Sequence, residues 1–290
     1  MRKALKFILP QKRISRSVGG DVFIFIFLVF MAFLLVIPLI YIVSNSLKPY
    51  NELFLFPPKI LVQNPTLDNF GDLFTLISNS WVPFSRYRLN TVCITVAGTV
   101  GNVILGSMAA YAISKIRFPG AEALFRIIVL SLMFSSVVTA IPTYIIIAKI
   151  GWIDTYWALI VPSLQSSLGI YLMKQFIDQI PDTLLEAARI DGATDGRIYL
   201  SIIMPSVKPA WLTVIILSIQ SLWNITGSNY IFSEQLKTLP VAMNQIVTGG
   251  IARAGAAAAV SVVMLSVPVI SFVIAQSQVV ETMASSGMKE

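Results

Sequence analysis

Residues 22–47 read VFIFIFLVFMAFLLVIPLIYIVSNSL and lie between Asp21 and Lys48 without one charged side chain. A helix needs about 20 mostly apolar residues to cross the hydrocarbon core of a bilayer, and a charge inside that core is costly. The stretch therefore predicts a transmembrane helix. The whole chain agrees, because 56% of its residues are hydrophobic and 12% are charged, whereas soluble proteins have about 25% charged residues. We expect an all-α integral membrane protein.

Five further stretches of the chain are free of charge over a length that can span a bilayer. Together with the first, they predict six transmembrane helices within a membrane domain at 21–280. The stretch between Lys237 and Arg253 is also uncharged, but it is short and polar, so we predict a loop or a re-entrant segment there. The six predicted spans are 22–47, 89–114, 127–148, 155–173, 209–233 and 254–280.

Basic residues set the predicted orientation, because Lys and Arg concentrate in cytoplasmic loops. With the N-terminus inside, 14 of the 21 basic residues fall in inner segments. Both termini are then cytoplasmic, with a basic arm at 1–20 and a tail at 281–290. The two longest connections are a proline-rich external loop at 48–88 and a polar inner loop at 178–208.

Several kinds of chemistry are missing from the sequence. It has no histidine, and Cys93 is its single cysteine, so neither a disulfide framework nor a Cys/His metal cluster is expected. No charged residue lies deep inside a predicted span, which disfavours a proton-coupled carrier. The chain also lacks the G-x-x-x-x-G-K-[ST] sequence of a P-loop. Energy for uphill transport would therefore have to come from another subunit.

The inner loop has the signals of two short helices. Pro181 and Asp182 form a helix-start pair, with Asp182 able to cap free amides. Gly192 fits the position that ends the first helix, and a second helix at about 194–203 should stop at Pro205. Two such helices at the inner membrane face would form a compact knob. The alternative is an amphipathic connector that lies on the lipid surface.

Three motifs occur in order in this loop, Glu186-Ala187-Ala188, Asp191-Gly192-Ala193 and Ile202-x-x-Pro205. Their order, and their position between the fourth and fifth predicted spans, resemble the EAA loop of binding-protein-dependent ABC importer permeases. Met204, where that family usually has leucine, is a conservative departure. The resemblance implies the maltose-permease-like transmembrane domain, with six spans and a cytoplasmic coupling helix.

Other segments are similar to the carbohydrate branch of that family, and in particular to its smaller maltose-type permease. They include 66–70 in the external loop, 117–120 after the second span and 223–224 in the fifth. The ending 280–284 resembles permeases for acidic or complex oligosaccharides such as alginate or pectin fragments. The resemblance thus implies import of an oligosaccharide, while an ABC permease for a non-sugar solute stays open.

The resemblance also implies a set of partners. The chain would be a transport subunit and not an enzyme, paired with a second homologous permease in the bacterial cell (inner) membrane. An extracytoplasmic binding protein would deliver substrate. A cytoplasmic ATPase dimer would hold ATP and Mg, with no cofactor in this chain. The residues expected to couple to the ATPase are Leu184, Leu185, Glu186, Ala187, Ala188, Asp191, Gly192, Ala193 and Pro205.

Polar side chains on the predicted spans mark a candidate substrate path. Sugar hydroxyls need amide and hydroxyl partners, and aromatic rings can stack on sugar faces. The plainer alternative is hydrogen bonding between helices. The candidate path residues are Gln220, Trp223, Asn224 and Gly227 in the fifth span and Ser163, Ser166 and Ser167 in the fourth.

Two other classes of function stay open. A secondary carrier or channel would act without an ATPase and predicts an internal inverted repeat. A membrane anchor for a cytoplasmic complex would account for the inner loop but not for the polar face of the fifth span. The subunits that purify with the chain would separate these classes.

Overall fold

The computed structural model describes residues 18–78, 82–250 and 253–286, and the elements within these ranges are helical. Most of the predicted basic arm, and residues 287–290 of the predicted tail, lie outside the described residues. The chain also has a π-helical turn at Tyr199–Ile203 and a 3-10 turn at Glu234–Leu236. The α-helices are α1 (Val18–Ser46), α2 (Tyr50–Leu53), α3 (Asp68–Ser78), α4 (Phe84–Lys115), α5 (Ala121–Ser131), α6 (Ser136–Ile150), α7 (Trp157–Ser163), α8 (Ser167–Asp178), α9 (Asp182–Ile190), α10 (Asp195–Ile198), α11 (Met204–Ser206), α12 (Lys208–Trp223), α13 (Leu239–Val247) and α14 (Ala254–Ser286).

Three of the described helices are long and apolar enough to cross a membrane, and they lie at 19–46, 84–115 and 254–276. A fourth results if 195–206 and α12 are counted as one span, although the chain bends by 79° between them. Apolar side chains of α1 are exposed along its length, with Phe23 at 70% and Leu35 at 75%. A continuous apolar surface of this kind is stable against lipid and not against water.

The third and fourth predicted spans are not continuous helices, which corrects the sequence-based expectation. The third is broken between α5 and α6, where Ser135 Oγ accepts the N–H of Val137 at 3.3 Å. The fourth is broken between α7 and α8, where Ser166 Oγ accepts the N–H of Gly169 at 3.0 Å. A serine in this position caps the free amides of a new helix, so each predicted span consists of two shorter helices.

The boundaries of the last two predicted spans also differ from the structure. α12 ends at Trp223, ten residues before the predicted end at 233, and the chain then turns at Gly227 with a φ of 62°. The uncharged stretch predicted as a loop or re-entrant segment contains α13. α14 continues through Ser286, so the predicted tail begins as part of this helix.

Packing centres on α4, which contacts α7, α8 and α12, while α12 also packs on α14. The close approach depends on Gly98, where an added Cβ would lie 2.5 Å from Ser163 Oγ and 2.7 Å from Leu222 Cδ1. Small residues let membrane helices approach closely enough for van der Waals packing. The α4 backbone therefore packs directly against the elements that carry the candidate substrate path.

Two buried clusters lie toward opposite ends of α4. One joins α3, α12, α13 and α14 around residues such as Leu73, Trp223 and Met243. The other joins α4, α8 and α12 to the inner loop around residues such as Met173 and Ile198. The second cluster shows that the inner loop is packed into the helix bundle.

Candidate functional site

The inner loop begins with α9, which starts directly after Pro181. Asp182 does not cap the free amides of this helix, which corrects the sequence-based expectation. Its carboxylate instead accepts a hydrogen bond from Lys115 Nζ at 2.7 Å. This hydrogen bond and the positive charge of Lys115 lower the pKa of Asp182 below its ordinary value. The start of α9 is thereby tied to the end of α4.

α9 ends in a glycine turn. Gly192 has a φ of 82°, its N–H donates to the Arg189 carbonyl at 3.0 Å, and the Ala193 N–H donates to the Ala188 carbonyl at 2.9 Å. This pair of bonds defines a Schellman motif. The prediction that Gly192 ends the helix is confirmed. An added Cβ would meet open space, so it is the backbone conformation alone that favours glycine here.

The second arm of the loop comprises α10, the π-helical turn and α11. The sequence-based expectation that it stops at Pro205 is wrong, because α11 includes Pro205 and reaches Ser206. Pro205 has no N–H to donate to the preceding turn, and the π-helical turn at Tyr199–Ile203 lies directly before α11. The change of direction follows one residue later, at Val207, before α12 begins.

The knob formed by residues 182–206 has a buried base. Leu185 is 3% exposed, and Ile198 and Ile203 are fully buried against the ends of α4, α8 and α12. The Trp211 indole N–H donates to the Met204 carbonyl at 3.0 Å. Closely packed interiors transmit displacement from one element to the next. A force on the knob therefore acts on the membrane helices.

Two further contacts fix the knob to α4. Ser107 Oγ and the Tyr199 hydroxyl lie 2.6 Å apart within hydrogen-bond geometry, and the rings of Tyr111 and Tyr199 are 5.8 Å apart. Lys115 Nζ also donates to the Ile180 carbonyl at 2.6 Å. The end of α4 thus contacts the residues before α9 and the arm that follows it.

The residues exposed on the outward face of α9 differ from those expected from sequence to contact the ATPase. Leu184 is 48% exposed and Ile190 is 87% exposed, and Glu186 and Ala187 are also exposed. Leu185 is buried, which corrects the expectation that it faces a partner. Sequence reasoning missed Ile190, although its spacing of three from Ala187 and four from Glu186 would have placed it on the same helical face as those residues.

The other residues expected at this surface divide by exposure. Asp191, Gly192 and Pro205 are exposed, whereas Ala188 and Ala193 are half-buried. Ala188 packs against the buried base of the knob. The outward surface is therefore formed by one face of α9 together with the turn that follows it.

A cavity of about 340 Å³ lies beside the break between α7 and α8. It brings together Ser163 and Ser166 from the predicted path, but Ser167 is outside it and accepts a hydrogen bond from Ser131 Oγ at 2.6 Å. Sequence reasoning missed several polar residues of the cavity because they come from different helices. These additional polar residues are Asn102, Gln165, Ser218, Ser221 and Tyr230.

The predicted path residues of the fifth span lie outside this cavity. Trp223 is 7% exposed, and its indole N–H donates to the Met264 carbonyl of α14 at 3.0 Å. Asn224 is exposed at the end of α12, and its Nδ2 donates to the Gln220 carbonyl at 2.9 Å. Gly227 turns the chain against Leu159. The Trp223 side chain thus contacts α14, whereas the Asn224 side chain is exposed.

A second cavity, of about 390 Å³, is formed by α6 and the segment after α12. Its lining includes Tyr144, Ser228, Asn229 and Phe232. The ring of Tyr144 stacks on that of Tyr230, with their centres 6.2 Å apart. Aromatic rings beside an amide and a hydroxyl can contact both the apolar face and the hydroxyl groups of a sugar.

Asp154 fixes the segment that forms this second cavity. Its carboxylate accepts the N–H of Phe232 at 3.0 Å and the N–H of Ser233 at 2.9 Å, and the Ser233 hydroxyl also donates to it. Its own N–H donates to the Tyr230 carbonyl at 2.8 Å. The hydrogen bonds from Ser233 lower the pKa of Asp154 below its ordinary value.

We expect the hydrogen bonds that the Asp154 carboxylate accepts from Phe232 and Ser233 to depend on pH. The lowered pKa means that the stabilisation is complete above the ordinary pKa of aspartate, about 3.9, and is lost as pH falls through the folded value.

In Asp154→Asn, the amides of Phe232 and Ser233 should lose protection from hydrogen exchange even at neutral pH, at a cost of about 1–2 kcal/mol. Asp72→Asn, at an exposed position on α3, is the control. Equal protection in Asp154→Asn and the unmodified protein would contradict the prediction.

Comparison with known proteins identifies the class of molecule. The family described as "Binding-protein-dependent transport system inner membrane component" matches residues 102–283, a range that includes the knob and both cavities. The chain belongs to this family. It is therefore the permease subunit of an ABC importer, and the prediction of a transport subunit that is not an enzyme is confirmed. Family membership also favours the importer over the secondary carrier and the membrane anchor.

Individual relatives share most of their length with the permease. It is 32% identical over 266 residues to the trehalose transport system permease protein SugB of Mycobacterium tuberculosis, covering 87% of this chain and 92% of SugB. It is 29% identical over 229 residues to the polygalacturonan/rhamnogalacturonan transport system permease protein YtcP of Bacillus subtilis, covering 78% of each chain.

A solved structure shows the same fold. It belongs to a bacterial ABC transporter involved in the import of the acidic polysaccharide alginate, with a TM-score of 0.76 and 22% identity. The match covers 91% of the permease and 99% of the chain in that structure. The all-helical ABC permease fold predicted from sequence is confirmed.

Proposed function

We propose that this permease forms one half of the translocation path for an oligosaccharide and that α9 couples the path to a cytoplasmic ATPase. The observation that carries the proposal is the division of α9 into two faces. Leu185 joins the buried base of the knob, while Leu184 and Ile190 are exposed. One face thus belongs to the bundle, and the other is apolar, open and available to a partner.

The proposed topology has six spans, and two of them are broken. α1, α4, α12 and α14 each form one span, α5 with α6 forms the third, and α7 with α8 forms the fourth. The excess of basic residues in the predicted inner segments supports cytoplasmic termini in a bacterial inner membrane. Broken spans place irregular backbone at membrane depth, which is tolerated where it lines a cavity. The break between α7 and α8 lies beside such a cavity.

Coupling in this proposal is mechanical. The exposed face of α9 lies in a cleft of the ATPase, where Glu186 pairs with a basic residue. ATP and Mg bind to the ATPase dimer, and closure of that dimer moves the knob. Because Lys115, Tyr199 and Trp211 fix the knob to α4 and α12, the helix bundle moves with it. Rigid-body motion of this kind alternates access between the two sides of a membrane.

The remaining partners follow from the family and the relatives. The family description names a dependence on a binding protein, which we place on the outer side. A second homologous permease would supply the other half of the path. The relatives named above belong to transport systems for trehalose and for polygalacturonan/rhamnogalacturonan, which supports an oligosaccharide substrate. The hydroxyl, amide and aromatic groups that line the two cavities fit such a substrate.

Substitution of Ile190 tests the coupling surface. Since Ile190 is 87% exposed, Ile190→Asp should leave the fold intact but place a charge in the ATPase cleft. Loss of a central interface side chain costs about 2 kcal/mol or more, so co-purification of the ATPase should weaken by about 30-fold. Glu186→Ala should reduce coupled uptake. Leu67→Asp, at a 70% exposed leucine before α3, is the matched control. Normal ATPase binding and uptake in both loop variants would refute the assignment.

A further inference from the structure

The loop that follows α1 carries an exposed apolar tip. Residues 54–61 read FLFPPKIL, and we call this segment the finger. Phe56 is 95% exposed, Leu61 66% and Ile60 56%, and Phe54 and Leu55 are also exposed. A cluster of large apolar side chains in water is unfavourable and marks an interaction surface. The finger therefore needs an apolar environment that the described part of this chain does not supply.

The base of the finger is held by a buried carboxylate. Glu52 is 7% exposed, and its carboxylate accepts the N–H groups of Gln63 at 3.0 Å and Asn64 at 2.9 Å. The side-chain amide of Asn64 also donates to Glu52 at 2.9 Å. The two sides of the loop are thereby closed across its base. The exposed tip thus stands on an ordered, hydrogen-bonded stem.

The same base is fixed to the end of α1. Lys48 is 2% exposed, donates to Asn45 Oδ1 at 2.7 Å and to the Lys59 carbonyl, and lies over the Tyr41 ring at 5.3 Å. The N–H of Thr66 donates to the Leu47 carbonyl at 2.9 Å, so the two ends of the loop are bonded to each other. The finger is therefore anchored where the lipid-facing surface of α1 ends.

The charges around the finger favour a lipid surface. Residues 49–64 contain only Glu52 and Lys59 as charged residues. Glu52 is buried at the base of the finger, where it accepts the N–H groups of Gln63 and Asn64. The Lys59 ammonium group donates to Gln63 Oε1 at 2.8 Å at an exposed position. Its remaining N–H groups can contact lipid phosphates while its alkyl chain stays apolar. Aromatic residues are enriched at the boundary between hydrocarbon and headgroups. The tip combines these features directly beside a membrane-spanning helix.

We infer that the finger inserts into the headgroup region of the leaflet from which α1 emerges. The occupant of its apolar surface is phospholipid, and insertion fixes the orientation of α1 and of the loop above it. Amphipathic helices in the interface bury their apolar faces by about 5–10 Å, and we expect a similar depth for the side chains of the finger. The choice of the outer leaflet rests on the topology proposed above, whereas contact with lipid requires only that α1 crosses the membrane.

A spin label at position 56 tests the inference. The assembled complex carrying Cys93→Ser and Phe56→Cys is labelled with a nitroxide and reconstituted into vesicles of phosphatidylethanolamine and phosphatidylglycerol. Collisions with oxygen, which concentrates in lipid, are compared with collisions with a water-soluble nickel chelate. We expect oxygen to dominate at position 56 before any binding protein is added. Asp72→Cys, on an exposed part of α3, should show the opposite preference.

Each alternative has its own result. Dominance of nickel collisions at position 56 would place the finger in water and overturn the inference. Loss of both kinds of collision only after addition of the binding protein would identify a protein-docking surface and also overturn it. Dominance of oxygen, with the label reduced by external ascorbate, supports the outer leaflet. Dominance of oxygen with reduction only by internal ascorbate would support lipid insertion and refute the proposed topology.

Discussion

Gly192→Val is expected to abolish uptake and substrate-stimulated ATP hydrolysis in the assembled importer. Gly192 has a φ of 82° in the turn that ends α9, and this conformation costs an L-residue about 1–2 kcal/mol, with a larger cost for a β-branched side chain. The turn aligns α9 with the second arm of the knob, so a change of its backbone redirects the outward face. The measurement is the ATPase rate with and without the loaded binding protein.

Two other substitutions separate this effect from a general loss of stability. Asparagine tolerates positive φ, so Gly192→Asn should retain most of the coupling. Gly196 lies in the same loop without a positive φ and with open space around it, so Gly196→Val should be close to neutral. If Gly192→Val couples normally, or if Gly196→Val is equally damaging, the turn is not what aligns the knob.

Features that depend on one short stretch of chain could be predicted from sequence. The long apolar runs predicted α1, α4 and α14, because a charge-free stretch of sufficient length has few alternatives to a membrane helix. The turn at Gly192 was predicted because few residues other than glycine take this conformation readily. In each of these cases the cause lies within a few residues of its effect.

Features that depend on a choice between nearly equivalent local signals could not be predicted. Serine occurs at many positions in the predicted spans, and only the structure shows that Ser135 and Ser166 cap new helices. Proline does not mark the breaks, since Pro142 lies inside α6. Within a membrane helix a proline can be accommodated by its neighbours. The position of a break is therefore decided by tertiary packing.

In the candidate site too, tertiary packing decides features that the sequence does not show. The motif placed α9 in the loop, but it did not show which face of α9 meets the bundle. Leu185, expected at the partner surface, is buried, and Ile190, absent from the expected set, is exposed, because burial depends on where α4, α8 and α12 lie. Trp223 was expected beside the substrate path, yet it packs toward α14. A residue type indicates which contacts are chemically available, and the fold selects among them.

The largest effect on assembly is expected from Gly255→Ala. An added Cβ at Gly255 would lie 2.0 Å from Asn69 Oδ1 and 2.9 Å from Asn69 Cγ. Asn69 is 5% exposed, and its Nδ2 donates to the carbonyls of Ser46 at 2.9 Å and Lys48 at 2.8 Å. It therefore cannot move aside without losing both bonds. Overpacking costs about 1–3 kcal/mol, and each lost hydrogen bond adds about 1 kcal/mol.

A double-mutant cycle shows whether Asn69 is the obstacle. Gly255→Ala should lower the unfolding temperature of the solubilised complex strongly in the presence of Asn69, and only weakly in an Asn69→Ala background, where the clashing group is gone. Gly71→Ala, on α3 with nothing within 4 Å of the added Cβ, is the matched control. Additive effects would contradict a direct contact. A strong coupling would show that one asparagine, held between the end of α1 and the start of α14, joins the loop after α1 to two helices that are far apart in sequence.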